Sequence, residues 1–467
     1  MSVKKEARIK LSDEVKFVIE RLSESGFSAY AVGGAVRDSV LGLSPSDWDV
    51  TTSALPNQTE EVFSDKRVVE TGIKHGTVTV IVNDKPIEIT TFRKESGYSD
   101  NRHPDKIEFV GDVAEDLRRR DFTVNSLAYN EKDGLIDLYG GLSDINDKII
   151  RAVGNAEERF SEDSLRIIRA VRFASKLGFK IEENTLRAAE KLKSGLDNVS
   201  AERIFSEFVK TLCGKDAFNA LTNYREIICE VVPEIRDCFD FEQHSKWHLY
   251  DVYEHICRSV AAVKNEPQFR TVMFFHDIAK PAAFFVKNGE GHFYGHAKLS
   301  AQIADRVLQR LKAPNSFRKN VVFLVENHDL PLPESDFKLK KILNKTGAED
   351  FFDLIEVKYA DNAAQGTEIA IEERAKIDKA RAMAERIVKS GECFSLNSLA
   401  ISGEDLKALG FSGKAVGSEL ERLLLLCMET PSLNEPSELK RLAEKRIEKN
   451  SEKNFEKSSK KNFEKRP

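Results

Sequence analysis

The chain has 467 residues, 41% hydrophobic and 32% charged, which is enough for roughly two to four domains and excludes a globally disordered polypeptide. Mean hydropathy is −0.41 and no apolar run approaches the ~18 residues of a membrane span, so a polytopic membrane protein is excluded too. The net charge of −5 hides an asymmetry. Residues 440–467 hold 11 Lys and Arg against 5 Glu, so a nucleic-acid site in the rest of the chain must be a local basic patch.

The N-terminus has basic residues but neither an apolar core nor a small-residue cleavage site, and is read as neither signal nor transit peptide. Cys213, Cys229, Cys238, Cys257, Cys393 and Cys427 form no CxxC pair. That usage suits reduced thiols and a cytoplasmic location.

In chain order, residues 1–30 read as a helix, with Val15, Val18, Ile19 and Leu22 at helical spacing. A strand over Ala29–Val32 breaks at Gly33-Gly34, where a helix starts. GTVTVIVN (76–83) alternates and turns at Asn83-Asp84 into PIEITTF (86–92), as in a hairpin. Residues 94–106 are rich in Asp, Arg, Gly and Pro and read as a mobile loop. IEFVGD (107–112) and LIDLYGG (135–141) are short strands around a helix over 112–130. After residue 150 the strand signals nearly vanish, and helices run to about residue 430. The tail from 444 repeats Glu every four residues and reads as solvated; contact with RNA is its functional alternative.

Two constellations carry chemistry. In GGAVRD (33–38), glycines at a strand-to-helix turn let backbone N–H groups approach a phosphate. Asp47 and Asp49 follow, and on a strand their side chains share one face. Two such carboxylates repel unless a cation lies between them, the arrangement phosphoryl transfer uses. Glu88, on a neighbouring strand, is the candidate third ligand. The second constellation is a run of histidines and aspartates: His255, His276-Asp277, His296, His328 and Asp361. Imidazole nitrogens with carboxylates can hold a divalent metal for phosphoester hydrolysis. His244, His248 and His292 read as packing or surface residues.

The ordered motifs GGAVRD, DWDVTT, TTFR, RRRDFTVNSLAY, DLYGG and EDSLRIIRAVRFA resemble those of bacterial class II tRNA nucleotidyltransferases (CCA-adding enzymes) and bacterial poly(A) polymerases, over residues 28 to about 215. The resemblance implies an α+β polymerase-beta-like head with a small mixed sheet, followed by an all-α neck, body, HD domain and tail. It implies boundaries at 1–150 (head), 151–240 (neck with a base-reading helix and an RNA-binding segment), 241–370 (HD), 371–436 (helical RNA-binding part) and 437–467 (charged tail). It places Gly33, Gly34 and Arg37 on the triphosphate, Asp47 and Asp49 on Mg²⁺, and Arg120 and Asp121 on the nucleotide. Asp163, Arg166, Arg169 and Arg172 become the base- and phosphate-reading helix. The histidine run resembles HD phosphohydrolases, with His255, His276, Asp277 and Asp361 as ligands joined by His296 and His328, and with His248 recurring near that site in relatives.

Chemistry gives the base-reading helix its own rationale. Residues three apart are neighbours on a helix. An Asp acceptor beside an Arg donor matches the pairing edges of cytosine and adenine and clashes with those of uracil and guanine. Arg93, Arg102 and His103 fall in a segment like the family's flexible loop. Asp137 with Gly140-Gly141 resembles a head–neck hinge. Ser126 stands where Ala is common, as neutral packing. Gly410, Gly413 and Gly417 suggest tight helix contacts, phosphate approach or helix caps.

The implied partners are tRNA, CTP and ATP, with no membrane and no obligate protein partner. The rivals are a poly(A) polymerase, a partial enzyme adding only CC or only A, a protein uridylyltransferase, an RNA-binding protein with an inactive head, and an HD hydrolase whose head grips RNA.

Overall fold

The computed structural model describes residues 9–45, 47–97 and 106–448. Arg102, His103 and the tail from 449 onward therefore lie outside the described residues. The first helix, Asp13–Glu24, is capped by the Ser12 hydroxyl, which accepts from the Val15 N–H, and buries Val15, Val18, Ile19 and Leu22.

Among the described residues, the N-terminal part carries a seven-stranded sheet. Its strands are β1 (Ala29–Val32), β2 (Asp49–Thr52), β3 (Arg67–Gly72), β4 (Thr77–Val82), β5 (Lys85–Thr91), β8 (Leu127–Asn130) and β9 (Gly134–Asp137), with β6 (Arg93–Ser96) and β7 (Lys106–Phe109) forming a separate ribbon. The spatial order is β3-β4-β5-β2-β1-β8-β9, and β2 and β5 run parallel while the other neighbours are antiparallel. One face, with Ala29, Ala31, Val50, Ile87 and Ile89, enters the main core. The opposite face carries Asp49 beside Glu88 in register.

The expected hairpin at Asn83-Asp84 forms, with both residues at positive φ. Two expectations are corrected. The segment read as a loop from 94 begins as β6, whose Arg93–Ser96 pairs with Lys106–Phe109. The helix read over 112–130 stops at Arg118, and Leu127–Asn130 is an interior strand between β1 and β9. All four of its residues are buried, so no alternation marks it as a strand.

Beyond residue 150 the chain is mainly helical. A parallel pair, β10 (Ile149–Ile150) with β11 (Lys180–Ile181), joins head to neck. A hairpin, β12 (Phe285–Lys287) with β13 (Glu290–His292), interrupts the later helices. One core runs from Ile9 to Ala360. Two satellite clusters follow, one built on Leu339, Phe351, Ile355 and Ile377 and one on Leu406, Leu423, Leu424 and Leu439. A Cβ at Gly410, Gly413 or Gly417 would meet nothing within 4 Å. The expected tight helix contacts are therefore absent there, and Gly413 instead caps the helix Lys414–Glu429.

Candidate active site and candidate metal centre

The glycine pair stands between β1 and the helix Gly34–Val40. Gly33 has φ +74°, and a Cβ there would lie 3.0 Å from Arg120 Nη1. Glycine thus serves both the left-handed turn and the close approach of a guanidinium. A cleft of about 290 Å³ opens here, lined by Gly33, Gly34, Arg37, Asp49, Arg120, Asp121, Asn125, Arg169, Arg172, Phe173 and Lys176. Its wall is strongly cationic, which suits a polyphosphate.

Buried polar partners hold these cations in place. Arg37 is buried, donates from Nε to Asp38 at 2.8 Å and from Nη1 to Asn125. The guanidiniums of Arg37, Arg169 and Arg172 surround the Phe173 ring at 5.3, 5.3 and 4.0 Å from its centroid. Arg169 donates to Asp121 Oδ2 at 2.6 and 3.0 Å. Burial alone would raise the Asp121 carboxyl, but Arg169 and the Asn125 amide lower it to about 2. Arg172 pairs with Glu207 at 2.7 Å. Asp116, fully buried, accepts from Arg119 at 2.6 Å and from Arg120 at 3.3 Å.

Asp49 opens β2, and Glu88 is its in-register neighbour on β5. Asp47 precedes the strand by two residues. Desolvation raises the Asp49 carboxyl, Arg120 opposes that, and the Asp47 charge adds to the rise. A desolvated carboxylate with a like charge nearby gains from a cation. Carboxylate oxygens suit a hard divalent ion, but among the described residues Asp47, Asp49 and Glu88 do not bring three ligand atoms within 4.8 Å of one another, and Asp47 stands ahead of the strand on which the two aspartates were expected to share a face.

A second cleft of about 280 Å³ shares Arg120, Asp121 and Arg169 with the first and is lined also by Arg119, Asp163, Leu165, Arg166 and Arg203. Asp163 and Arg166 therefore face one space. Asp163 is not on the helix, which spans Leu165–Leu177. Its Oδ1 instead accepts from the Leu165 N–H at 3.1 Å, and its Oδ2 from Arg203 at 2.9 Å. Arg166 donates to Glu162 at 2.9 Å and to the Arg119 carbonyl at 2.9 Å.

Asp116, Lys176, Arg203 and Glu207 were not singled out from the sequence. Arg203 and Glu207 reach their partners only on folding, whereas Asp116, three and four residues before Arg119 and Arg120, and Lys176, four after Arg172 on the same helix, stand at helical spacings that could have marked them. Arg93, expected in a mobile loop, sits half-buried in β6 and donates to Glu95 at 2.7 Å. Asp137 accepts from the N–H groups of Gly141 and Leu142 at 2.8 and 2.9 Å. A Cβ on Gly141 would come within 2.3 Å of the Thr123 carbonyl, so this junction requires glycine. Ser126 is buried and donates to the Leu117 carbonyl at 2.7 Å, a polar contact where neutral packing was expected.

The second constellation also converges. His255, His276, Asp277 and Asp361 form one group, and Asp277, His296 and His328 form another, with ligand atoms within 4.8 Å of one another in each. Asp277 joins the two. Its Oδ2 lies 3.2 Å from Nε2 of both His255 and His276, and its Oδ1 lies 3.2 and 3.6 Å from Nε2 of His296 and His328. Asp361 Oδ1 is 3.0 Å from His255 Nε2.

The other ring nitrogen meets a carbonyl in each case. Nδ1 of His276, His296 and His328 faces Met273, Phe293 and Val325 at 2.7–2.8 Å, and that of His255 faces Ala364 at 3.4 Å. With Nδ1–H donating outward, a neutral imidazole turns its Nε2 lone pair inward. Lone pairs then face lone pairs, with Nε2 atoms 3.2 Å apart in each of two histidine pairs. Asp277 Oδ2 is buried without a well-directed hydrogen bond. A mixed nitrogen and oxygen set of this kind fits one or two divalent metals. Burial would raise the Asp277 carboxyl, but His276 and Lys280 hold it well below the usual range. Lys280 Nζ is 2.7 Å from Asp277 Oδ2. His248, read from sequence as packing or surface, lines this cleft with Lys280.

Residues 29–151 match the poly A polymerase head domain, and residues 178–235 match a probable RNA- and SrmB-binding site of polymerase A. A CCA-adding enzyme of Ligilactobacillus salivarius is 50% identical over 207 residues, 44% of this chain and 51% of the relative. One from Enterococcus faecalis is 47% identical over 221 residues, 47% and 54% of the two chains. The matched part thus spans about half the length of these relatives. The crystal structure of the Bacillus stearothermophilus CCA-adding enzyme in complex with CTP superposes with a TM-score of 0.69 at 27% identity, covering 94% of this chain and 98% of that one. The Thermotoga maritima CCA-adding enzyme complexed with tRNA shares the fold, with a TM-score of 0.57 at 19% identity, covering 93% and 94%. Among the described residues, no helix is long and apolar enough to cross a membrane.

Proposed function

We propose that this chain, whose N-terminal half is a poly(A) polymerase-type head with its RNA-binding segment, adds C, C and A to the 3′ end of tRNA from CTP and ATP without a nucleic-acid template. The observation that carries this reading is the adjacency of two clefts that share Arg120, Asp121 and Arg169 in their walls. The cationic cleft edged by Asp49 lies beside the space lined by Asp163 and Arg166. A triphosphate held by Arg37, Arg120, Arg172 and Lys176 would leave its base toward Asp163 and Arg166. The carboxylate would accept the exocyclic amine of cytosine or adenine, and the guanidinium would donate to the adjacent ring nitrogen. Uracil and guanine reverse both polarities, turning O4 or O6 toward the carboxylate and N3–H or N1–H toward the guanidinium.

Asp47 and Asp49, with Glu88 beside them, would hold the divalent cation, read as Mg²⁺, which would neutralise the triphosphate and favour ionisation of the attacking 3′ hydroxyl. The residues of the chain itself bind and orient. Arg169, fixed by Asp121, joins the two clefts and would stay in place through each addition cycle. In domain terms, 1–150 is the head, 151–240 the neck, 241–370 the HD region, 371–436 the helical RNA-binding part and 437–467 the tail.

Each nucleotide supplied singly to a tRNA lacking its last three residues tests this. CTP alone should add two residues, ATP should then add one, and UTP and GTP should add none. A long A run would replace the reading with poly(A) synthesis. Arrest after CC would make it a partial enzyme.

A second reading is favoured by its own observation, the convergence on Asp277. Residues 252–361 would form a metal-dependent phosphohydrolase centre in the same chain. The metal would supply Lewis acidity there. Metal content of the purified protein, compared with that of His276→Ala, tests it.

A further inference from the structure

The sheet divides the ground around Asp49 into two sides. Asp49 on β2 has β1 as one neighbour and β5 as the other. The cationic cleft lies on the β1 side, where Gly33, Gly34, Arg37, Asn125 and Arg172 line it. On the other side Glu88 leads onto β4 and β3. Register fixes which side chains share its face. Glu88 stands opposite Thr79, Pro86 opposite Ile81, and Ile81 opposite Arg67, while Val78, Val80 and Ile87 turn into the core beneath. The face beyond Glu88 thus presents Pro86 and Ile81 and ends at Arg67. Pro86 and Arg67 are exposed, and Ile81 is half-buried.

Arg67 differs from the arginines of the cleft. Arg37, Arg119 and Arg120 are each tied to a carboxylate, whereas Arg67, among the described residues, has no hydrogen-bond or ion-pair partner. Strand spacings of about 4.8 Å and rises of about 3.4 Å per residue put its Cα about 12 Å from that of Glu88. In-line phosphoryl transfer sets the attacking oxygen and the leaving group on opposite sides of the phosphorus. A triphosphate seated in the cleft would point its departing pyrophosphate toward the glycine turn. The bond from the 3′ oxygen would then form from the β5 side as the bond to pyrophosphate breaks. A strand bringing that hydroxyl would cross β5, β4 and β3, setting its sugars over apolar Pro86 and Ile81 and a backbone phosphate beside an unpaired guanidinium. As a charge on the edge strand β3, Arg67 would also discourage sheet extension, a role that predicts no dependence on RNA.

We propose that the face of β5, β4 and β3 beyond Glu88 carries the unpaired 3′ end of the acceptor RNA, with Arg67 neutralising a phosphate just behind the attacking nucleotide. This rests on reading the chain as a tRNA nucleotidyltransferase, and names where its acceptor strand lies.

Full-length protein is titrated with a fluorescently labelled tRNA ending in CC, without nucleotide, between about 50 and 200 mM KCl. Arg67→Ala should flatten the plot of log affinity against log salt by about 0.7, the share of one single-stranded phosphate. It should raise the KM for this tRNA about two- to fivefold and leave the KM for ATP unmoved. Arg67→Lys, which keeps the charge, should return the parental slope. Because Arg67 is exposed, parent and variants should melt together. A parental slope in Arg67→Ala, or an effect that falls on the KM for ATP instead, would overturn the proposal. The slope difference together with a parent that adds no nucleotide would remove the transferase reading and keep the contact. A parent that adds the terminal A, with no slope difference in Arg67→Ala, would remove the contact alone.

Discussion

The head cleft and the Asp277 cluster solve opposite electrostatic problems. In the head, the cations belong to the protein. Arg37, Arg169 and Arg172 stand around Phe173, and buried acids such as Asp121 and Glu207 fix their positions. That wall is built for an anion that comes and goes, and its guanidiniums need little reorganisation when a triphosphate arrives. In the Asp277 cluster the protein supplies mainly lone pairs, with Lys280 as the buried cation beside Asp277, and the further positive charge the cluster calls for must come from outside. Imidazole nitrogens and carboxylates crowd within 3.0–3.9 Å of one another there. The difference teaches which charge each site is built to receive.

Breaking each side of this comparison should give distinct signatures. The largest effect is expected from Asp49→Ala, which should lower nucleotide incorporation by about a thousandfold or more, since several kcal/mol of charge stabilisation are lost. Its melting temperature should hold, because Asp49 lies at the mouth of the cleft; retained incorporation would remove the metal-ligand role. Next, His276→Ala should strip the second cluster of metal, read by elemental analysis, while CCA addition stays within about twofold of the parent. In the parent, saturating metal should add roughly 3–4 kcal/mol to unfolding free energy at concentrations of 100–1,000 times Kd, and this gain should vanish in the variant.

Arg166→Ala should relax base choice by about 5- to 150-fold, the value of a bidentate contact, before it abolishes chemistry. Selectivity for C and A over U and G, measured in mixed-nucleotide assays, is the readout. The smallest of these effects concerns Asp121. Its carboxyl is lowered to about 2 in the fold, so its contribution is present above the unfolded value near 4. It is lost as pH falls toward 2. Asp121→Asn should cost about 2 kcal/mol at neutral pH, and its urea midpoint should fall less than the parent's between pH 5 and pH 3. Parallel pH profiles would mean that the Arg169–Asp121 pair contributes nothing to that range.

The same comparison explains what could be read from sequence. The glycine pair and the histidine run were legible because chemistry-bearing residues at fixed local spacing are visible before folding, whereas the strand spacing read for Asp47 and Asp49 fails because β2 starts only at Asp49. The histidine cluster needed His255, His296 and Asp361 brought together from far along the chain, yet its order alone pointed to the site. The supporting residues that other elements bring in were not legible. Glu207 meets Arg172 from another helix, and Arg203 meets Asp163 across 40 residues. Asp163 itself was misplaced. Its spacing from Arg166 suits a helix, but its carboxylate caps the helix start, so it sits ahead of it. The strand Leu127–Asn130 was hidden for a related reason, since a strand buried on both faces has no alternating pattern. The β12–β13 hairpin, three residues per strand, is too short to announce itself.

The most direct test is the length and sequence of the product. Purified full-length protein, a tRNA ending at its discriminator nucleotide, and CTP with ATP are combined, and the extended 3′ ends are sequenced. The account predicts that C, C and A are added in that order and that extension then halts. Ends carrying a homopolymer, a random mixture of the four nucleotides, or no addition would contradict it.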